Sequence, residues 1–390
     1  MTNLLRIAIV AGEPSGDLLG AGLLRALARH RPHIRIEGIG GPQMIAAGCR
    51  SLYPMERLAV AGLSEVLIRL PEILLIRTRL FRYLRRNPPD VFIGIDAPDF
   101  NLSLERKLRR NGIPVVHYVS PTIWAWRGYR IKKIARSVDS MLTLFPFETE
   151  IYLKNQIPAR FVGHPLADAI PEKPDRQEAR RELSLPQSAR IIALLPGSRL
   201  NEVKAMAALM IQTARRLRER RPDLHFVVPL IDAITRDHFH QVLAQEGIDL
   251  PITIIDGRSR AAMTAADAVI VAVGTATLEA LLLQRPMVIA LRVSPLTYHI
   301  GKALATVPWA GLPNLLAKRP LVPEFIQHDA TPENLANALL AILDNPRETE
   351  IQREFKKIGT MLRQGADESA ANAVLERLAG TIGTEIMPRR

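Results

Sequence analysis

Two loops in the first half of the chain combine small residues with carboxylates. The first lies in IAIVAGEPSGDLLG at 7–20, where an apolar strand leads through Glu13, Ser15 and Asp17 into a helix. Small residues let a ligand approach the backbone, and carboxylates suit the hydroxyl groups of a sugar better than a bare phosphate. A tight strand-to-helix turn explains the same residues without a ligand. The loop is neither G-x-G-x-x-G nor Walker A, because no Lys follows its glycines.

The second loop, IGIDAPDFN at 93–101, places two aspartates directly after a strand. A carboxylate at the carboxyl end of a buried strand is well placed to act as a general base, whereas an aspartate just before a helix is typical of an N-cap. We assign Asp96 to chemistry and Asp99 mostly to capping.

The second half contains loops of a different kind. LLPGSRLNEV at 194–203 turns from a strand into a helix through Gly197, Ser198 and Arg199. Backbone N–H groups and an arginine that converge on one point suit a diphosphate, although a tight turn with a solvated arginine explains the loop equally well. Glu202, one turn into the helix, is included among the predicted nucleotide contacts.

VGTATLE at 273–279 repeats this design. Gly274 and Thr275 place N–H groups and a hydroxyl at a helix N-terminus, which favours an anion. Glu279 follows one turn further on, where it either accepts two ribose hydroxyls or is an ordinary surface carboxylate. Together the two loops predict one nucleotide diphosphate site.

The remaining candidates are aromatic residues and histidines. HYVSPTIWAWR at 117–127 carries Trp124 and Trp126, which either stack on a sugar or acyl chain or simply pack. His117 and His164 are the histidines of interest, but a structural role is favoured for each. The sequence has no H-E-x-x-H motif and no D-x-D pair, so we expect no metal site and no cofactor.

A basic amphipathic helix is predicted over PEILLIRTRLFRYLRRN at 71–87, with Pro71 at its first position. Most apolar residues fall on one half of the helical wheel and most arginines on the other. The stretch either covers the sheet as an ordinary helix or, with apolar residues just upstream, forms a patch that binds an anionic bilayer surface. The predicted patch consists of Leu63, Val66, Leu67, Leu70, Ile73, Leu74, Arg77 and Arg82.

Alternating strands and helices must position these residues. Near-continuous apolar strands separated by helical patterns predict an α/β fold of two doubly wound, Rossmann-like domains. Ligands of such domains bind at the carboxyl ends of the strands, here expected to face a cleft between the domains. The predicted strands are 7–11, 35–39, 91–95, 115–119, 141–145, 160–162, 191–195, 225–229, 252–255, 268–273 and 286–291. The predicted organisation is a domain at 1–167, a linker at 168–188, a domain at 189–345 and closing helices at 346–390 that pack back toward the first domain.

Composition narrows the class of protein further. The 390 residues carry 52 Lys and Arg against 39 Asp and Glu, a net charge of +13, which favours a polyanionic partner. Aromatic residues make up only 5%, and no zinc finger, RRM or basic zipper signature is present, so nucleic-acid binding is unsupported. The one cysteine, Cys49, excludes an internal disulfide framework, and no apolar run of 18 residues predicts a membrane-spanning helix. The apolar start is typical of a first strand rather than of a secretory signal.

Seven motifs resemble those of the lipid-A-disaccharide synthase family: AGEPSGD, GIDAPDFN, HYVSPTIWAW, FVGHP, LLPGSR, GTATLE and LPNLL, in this order over nearly the whole chain. The resemblance implies a GT-B glycosyltransferase fold that needs neither a metal ion nor a cofactor. It also implies inverting transfer of 2,3-diacylglucosamine from its UDP conjugate to 2,3-diacylglucosamine 1-phosphate. The products would be UDP and a β-1,6-linked disaccharide 1-phosphate, in lipid A biosynthesis. The sequence departs from the family pattern at Pro14, where alanine is usual, and at Leu200 and Asn201.

The resemblance further implies roles for individual residues. The UDP donor is expected to bind both loops of the second domain together with Asn314 of LPNLL. Asp96 is expected to act as the general base, with Glu13 as the next choice, and Arg199 to stabilise charge on the departing diphosphate. The residues expected on the acceptor side are Ser15, Asp17, Trp124 and Trp126.

By the same resemblance, the chain is expected in the cytoplasm, bound peripherally to the cytoplasmic face of the inner membrane. Its closing helices either pack on their own first domain or are exchanged with a second copy in a homodimer. Three alternatives are another GT-B enzyme such as a UDP-sugar 2-epimerase, a non-enzymatic module that binds membranes or nucleic acid, and a nicotinamide dehydrogenase. The missing G-x-G-x-x-G loop disfavours the last of these.

Overall fold

The computed structural model of the chain describes residues 4–58, 63–124, 128–247, 249–344 and 348–380. The chain divides into two compact units, Met1–Asp168 with Leu362–Arg390, and Ala169–Met361. The division differs from the predicted boundaries, because residues 169–188, expected as a linker with a short helix, belong to the second unit.

The first unit is a parallel sheet with helices packed against it. Its strands are β1 (Leu5–Ala11), β2 (Ile34–Ile39), β3 (Arg50–Ser51), β4 (Val91–Ile95), β5 (Val115–Tyr118), β6 (Ser140–Thr143) and β7 (Ala159–Phe161). Its helices are α1 (Pro14–His30), α2 (Pro42–Ala46), α3 (Leu63–Arg86), α4 (Pro98–Arg110), α5 (Ile131–Ala135), α6 (Pro146–Lys154), α7 (Pro165–Ala169), which ends at the boundary, and α17 (Ala366–Leu378).

The strand order of this sheet, within the described residues, is β3-β2-β1-β4-β5-β6-β7. β1 and β4 are apolar and almost entirely buried, as strands covered on both faces must be. The order reverses between these two neighbours, so the loops that follow them lie side by side at the carboxyl edge of the sheet. That switch point is where ligands bind in doubly wound sheets.

The second unit repeats the design. Its strands are β8 (Arg190–Leu195), β9 (Leu224–Leu230), β10 (Ile252–Asp256), β11 (Ala268–Ala272), β12 (Met287–Leu291) and β13 (Glu324–Ile326). Its helices are α8 (Arg176–Glu182), α9 (Leu200–Arg220), α10 (Ala233–Glu246), α11 (Ser259–Ala265), α12 (Thr275–Leu282), α13 (Pro295–Leu304), α14 (Leu312–Ala317), α15 (Pro332–Leu343) and α16 (Glu348–Leu362). In the described part of the unit the parallel strands lie in the order β10-β9-β8-β11-β12-β13, with the switch point between β8 and β11.

Helix α3 is longer than predicted. It begins at Leu63 and continues through Pro71, so the prediction that Pro71 starts the helix is wrong. Ile76, Leu80 and Leu84, one and two turns apart, are buried against the unit. Leu70, Leu74 and Leu75 form an exposed apolar face, and their exposed fractions are 41%, 39% and 47%. None of the described helices is long and apolar enough to cross a membrane.

Helix α17 completes the first unit by packing on α1. Asp367 of α17 lies directly against Gly22 of α1, where a Cβ would be 2.3 Å from its Oδ1. Asp168 holds the start of α17 by accepting hydrogen bonds from the N–H groups of Gly365 and Ala366. Of the closing helices, α17 lies on the first unit and α16 lies almost wholly in the second, so only part of the predicted helical segment packs on the first domain.

Replacing Leu80 by alanine should lower the free energy of unfolding by about 2–5 kcal/mol, because a fully buried side chain is removed from the inner face of α3. Leu74→Ala on the exposed face should change it by less than about 0.5 kcal/mol. Chemical denaturation followed by circular dichroism measures both values. Equal losses would contradict the assignment of the two faces.

Candidate active site

The switch point of the first unit brings together Glu13 and Asp96. Gly12, which follows β1, approaches the loop after β4 so closely that a Cβ there would lie 2.8 Å from Cβ of Ala97. Glu13 is exposed at the N-cap of α1, where its side chain makes no capping hydrogen bond. Asp96 is half-buried. One carboxylate open to water and one largely withdrawn from it therefore share this edge of the sheet.

A left-handed turn directs Asp96. Asp96 and Ala97 have φ angles of 48° and 42°, a conformation that side chains rarely adopt. Asn101 of α4 holds the turn by donating its amide N–H to the carbonyl oxygens of Asp96 (2.9 Å) and Ile95 (3.3 Å). Burial raises the pKa of the Asp96 carboxyl above its ordinary value, while the charge of His117 and the N–H of Ala97 partly oppose that rise.

Asp99 does not cap α4, so this prediction is wrong. The N-cap residue is Ala97, and Asp99 sits inside the first turn with its side chain exposed. Its carboxylate accepts a hydrogen bond from Arg130 at 2.9 Å. Pro98 at the first helical position displaces the cap by two residues.

Asp17 is structural. It is 2% exposed, and its carboxylate accepts hydrogen bonds from the N–H groups of Gly41, Gln43 and Met44 at 2.8–3.0 Å. These groups form the start of α2, which a carboxylate stabilises. The predicted acceptor-side role of Asp17 is therefore wrong, whereas Ser15 is exposed in the first turn of α1.

Trp124 is held in place by neighbouring side chains. Its indole N–H donates to the Glu148 carboxylate at 3.0 Å, and its ring meets Phe147 edge-on. Burial raises the pKa of Glu148 to about 8, although the hydrogen bond from Trp124 opposes the shift. Trp126 lies outside the described residues.

In the second unit the loops after β8 and β11 lie side by side at the switch point, as the two sequence patterns require. The side chains of Arg199 and Thr275 are exposed there, and Gly274 precedes α12. Glu202, however, accepts hydrogen bonds from the N–H groups of Ser198 (2.9 Å) and Arg199 (3.3 Å). A carboxylate of the chain thus accepts hydrogen bonds from the N–H groups that were expected to bind a diphosphate, and their nucleotide role stays a prediction. Gly197 accommodates Glu202, since a Cβ at 197 would lie 2.5 Å from it.

Two other predicted nucleotide contacts are engaged within the unit. Glu279 accepts a hydrogen bond from Arg260 at 2.6 Å. Asn314 is 1% exposed and bonds with both ends of its amide: its oxygen accepts from Leu321 and Val322, and its nitrogen donates to the Val322 carbonyl and to Glu324. Asn314 therefore links α14 to the strand β13, and its amide has no hydrogen-bonding group left for the UDP-sugar donor.

Sequence reasoning missed a buried pair beside Asp96. Glu105 of α4 and His117 of β5 are both fully buried, with Oε1 and Nδ1 2.6 Å apart. The available signal was a glutamate on the apolar side of an amphipathic helix, between Leu102 and Leu108. No group of three or more possible metal ligands occurs in the described ranges.

Comparison with solved structures defines the class of protein. UDP-GlcNAc 2-epimerase from Neisseria meningitidis, bound to UDP-GlcNAc, superposes with a TM-score of 0.64 at 13% identity, covering 96% of this chain and 100% of that one. The calicheamicin glycosyltransferase CalG4 superposes with a TM-score of 0.60 at 15% identity, covering 98% and 100%. At such identities the likeness establishes the fold alone: a GT-B glycosyltransferase fold of two Rossmann-like α/β units.

Sequence comparison is more specific. A family model described as lipid-A-disaccharide synthetase matches residues 7–376. Lipid-A-disaccharide synthase of Methylobacillus flagellatus is 54% identical over 371 residues, which is 95% of this chain and 98% of that protein. The enzyme of the same name from Pseudomonas syringae pv. tomato is 53% identical over 379 residues, or 97% and 98%. The chain belongs to the lipid-A-disaccharide synthase family, and it is a UDP-sugar glycosyltransferase of lipid A biosynthesis. The alternative of a UDP-sugar 2-epimerase is not favoured.

Replacing Asn314 by alanine should lower the free energy of unfolding by about 3 kcal/mol, because it leaves two buried N–H groups and a buried carbonyl without partners. The exposed Asn201 of the same unit provides the control, and Asn201→Ala should cost less than about 0.5 kcal/mol. Thermal and urea unfolding of both variants measure this difference. A stable Asn314→Ala variant with weakened UDP binding would restore the nucleotide role.

Proposed function

We propose that this chain transfers 2,3-diacylglucosamine from its UDP conjugate to the 6-hydroxyl of 2,3-diacylglucosamine 1-phosphate, with inversion at the anomeric carbon. The products are the β-1,6-linked disaccharide 1-phosphate and UDP. The observation that carries the proposal is the contrast between the two switch points. The first unit presents the carboxylates of Glu13 and Asp96, and the second presents Arg199 beside the N-terminus of α12.

Asp96 is the general base of this reaction. The acceptor oxygen attacks the anomeric carbon, the bond from that carbon to the diphosphate oxygen breaks, and the hydroxyl proton passes to the Asp96 carboxylate. Burial supports this role, because a carboxyl group whose pKa lies above its ordinary value accepts a proton more readily. Glu13 is exposed and suits a hydrogen bond to acceptor hydroxyls.

The departing diphosphate is stabilised by Arg199 and by the N-terminus of α12 at Thr275. A guanidinium forms strong bonds with phosphate oxygens, and an eight-residue helix adds partial positive charge at its start. The proposal assigns no step to a metal ion or cofactor. It also assigns no direct nucleotide contact to Glu202 or Asn314, because both are engaged within the unit.

Asp96→Asn should lower kcat about 10²–10⁴-fold, because the amide cannot accept the hydroxyl proton. Asp99→Asn is the matched control, since Asp99 lies three residues away with its carboxylate exposed and paired with Arg130. It should retain kcat within about three-fold, a loss below about 1 kcal/mol. Release of UDP from diacylated donor and acceptor, measured with a metal chelator present, gives both rates.

Wild-type kcat in Asp96→Asn would overturn this assignment. Glu13→Gln would then be measured as the next candidate, because Glu13 shares the switch point with Asp96. Inhibition by the chelator would contradict the metal-free mechanism separately.

The membrane patch is proposed on α3. Leu70, Leu74 and Leu75 are exposed, and Arg82, one of several arginines further along the helix, is exposed as well. Apolar side chains beside arginines favour binding to an anionic bilayer surface, in keeping with diacylated substrates. We therefore propose a peripheral location at the cytoplasmic face of the inner membrane. Ile73 and Arg77 are half-buried, and the side chains of Leu63, Val66 and Leu67 lie outside the described set.

A triple variant that carries serine in place of Leu70, Leu74 and Leu75 should co-sediment about ten-fold or more less with anionic vesicles of phosphatidylglycerol and phosphatidylcholine. The reason is that each leucine contributes about 1–2 kcal/mol when it is partly buried in lipid. Ile231 and Ile234 replaced by serine are the control, because these residues are similarly exposed on the second unit. The control should bind as the wild type does. Equal binding by all three proteins would contradict the patch.

Dimerisation by exchange concerns α17. Its contacts with the first unit include the carboxylate of Glu368, which bonds Arg29 and His30 of α1. The same contacts would form between two copies if residues 362–380 were exchanged. A homodimer of this kind is therefore a proposal compatible with the packing of α1 and α17.

A further inference from the structure

A fully buried acid–imidazole pair lies beneath the switch point of the first unit. Glu105 on α4 and His117 on β5 approach to 2.6 Å, and neither side chain is exposed. Burying an unpaired charge is costly, so the pair is stable only if its charges compensate one another. The proton on the short bond binds the two side chains into one unit.

The sheet makes room for this pair. Gly94 of β4 is the register partner of His117, and a Cβ at 94 would lie 2.0 Å from Oε1 of Glu105. Asp96 follows Gly94 by two residues, just beyond the end of β4, and its N–H donates to the carbonyl oxygen of Tyr118, the residue after His117, at 3.0 Å. Glu105, His117 and Asp96 thus form a series that leads from the interior to the carboxyl edge.

The pair is incompletely satisfied. Nε2 of His117 and Oε2 of Glu105 have no hydrogen-bond partner among the described residues. Burial alone would lower the pKa of His117, but the charge and hydrogen bond of Glu105, the charge of Asp96 and the Val119 carbonyl together raise it above its ordinary value. The surroundings of His117 therefore favour the imidazolium over the neutral ring.

We propose that Glu105 and His117 are positioning residues that hold a positive charge beneath Asp96 and so keep this carboxylate ionised, although it is largely withdrawn from water. Glu105 fixes the proton on His117, and His117 offsets the loss of hydration at Asp96. The inference rests on the assignment of Asp96 as the general base. Neither residue of the pair exchanges a proton with the substrate.

The other charged groups of this region interact with partners away from His117. Asp99 and Arg130 pair with each other at the exposed start of α4, and Arg77 reaches the Asp99 carbonyl. Tyr118 follows His117 and therefore points to the opposite side of the sheet. There, burial and the charges of Asp367 and Asp168 raise the pKa of its hydroxyl. The charges that act on His117 are accordingly those of Glu105 and Asp96.

The test is the pH dependence of kcat in His117→Gln and Glu105→Gln. Loss of the positive charge raises the pKa of Asp96, so less of the base is ionised at a given pH. The acidic limb of the profile should move to higher pH by about one unit in both variants, with KM little changed. Activity should recover toward the wild-type value as the pH rises. Asp99→Asn, on the same helix, should leave the limb in place.

Two outcomes would overturn the inference: an unshifted acidic limb, or a loss of kcat that is equal at every pH. Adding His117→Gln to Asp96→Asn should cause no further pH-dependent loss, because its target is gone. If Asp96→Asn keeps full activity, the assignment of Asp96 as the base fails. If Asp96→Asn loses activity as expected but the acidic limbs of His117→Gln and Glu105→Gln are unshifted, only the role of the pair is rejected.

The wild-type chain labelled with ¹⁵N-histidine gives a measurement independent of variant folding. An imidazolium is expected for His117 at neutral pH, and a neutral ring would reject the proposal.

Discussion

The turn at the end of β4 is the constraint on which the first unit's chemistry depends. Two successive residues, Asp96 and Ala97, adopt left-handed conformations, each of which costs on the order of 1–3 kcal/mol. The amide of Asn101 and the N–H of Asp96, which donates to the Tyr118 carbonyl, hold the turn in place. The rest of the fold therefore stabilises a strained turn, and this turn directs the Asp96 carboxylate toward the edge of the sheet. A relaxed turn would carry the side chain elsewhere.

The two units share one topology, but the loops at their switch points carry groups of opposite charge. Each sheet reverses its strand order once, between β1 and β4 or between β8 and β11, and each reversal brings two loops together. In the first unit these loops carry two acids, one exposed and the other half-buried near an imidazole. In the second they carry an arginine and the start of a helix, which favour anions. The division matches a reaction in which a hydroxyl loses a proton and a diphosphate departs.

Apolar runs located most strands closely: Val91–Ile95 was predicted without error, and β1 begins two residues earlier than expected. The roles of single polar residues were harder to predict, because their partners are distant in sequence. Asp17 bonds to residues 24–27 positions away, and Asn314 to the chain 7–10 positions on. Local patterns give no information about such pairings. The Glu105–His117 pair was missed for the same reason, since it depends on the absence of a side chain at Gly94 of a third element.

The packing of α17 on α1 has a consequence for biosynthesis. The first unit begins at the start of the chain but is closed by residues after Leu362, so the ribosome must synthesise all of the second unit before α1 receives its cover. During that interval α1 of the nascent chain lacks α17, whose Asp367 later lies against Gly22. Translation order therefore separates the two units in time, with the uninterrupted 169–361 segment available to fold first.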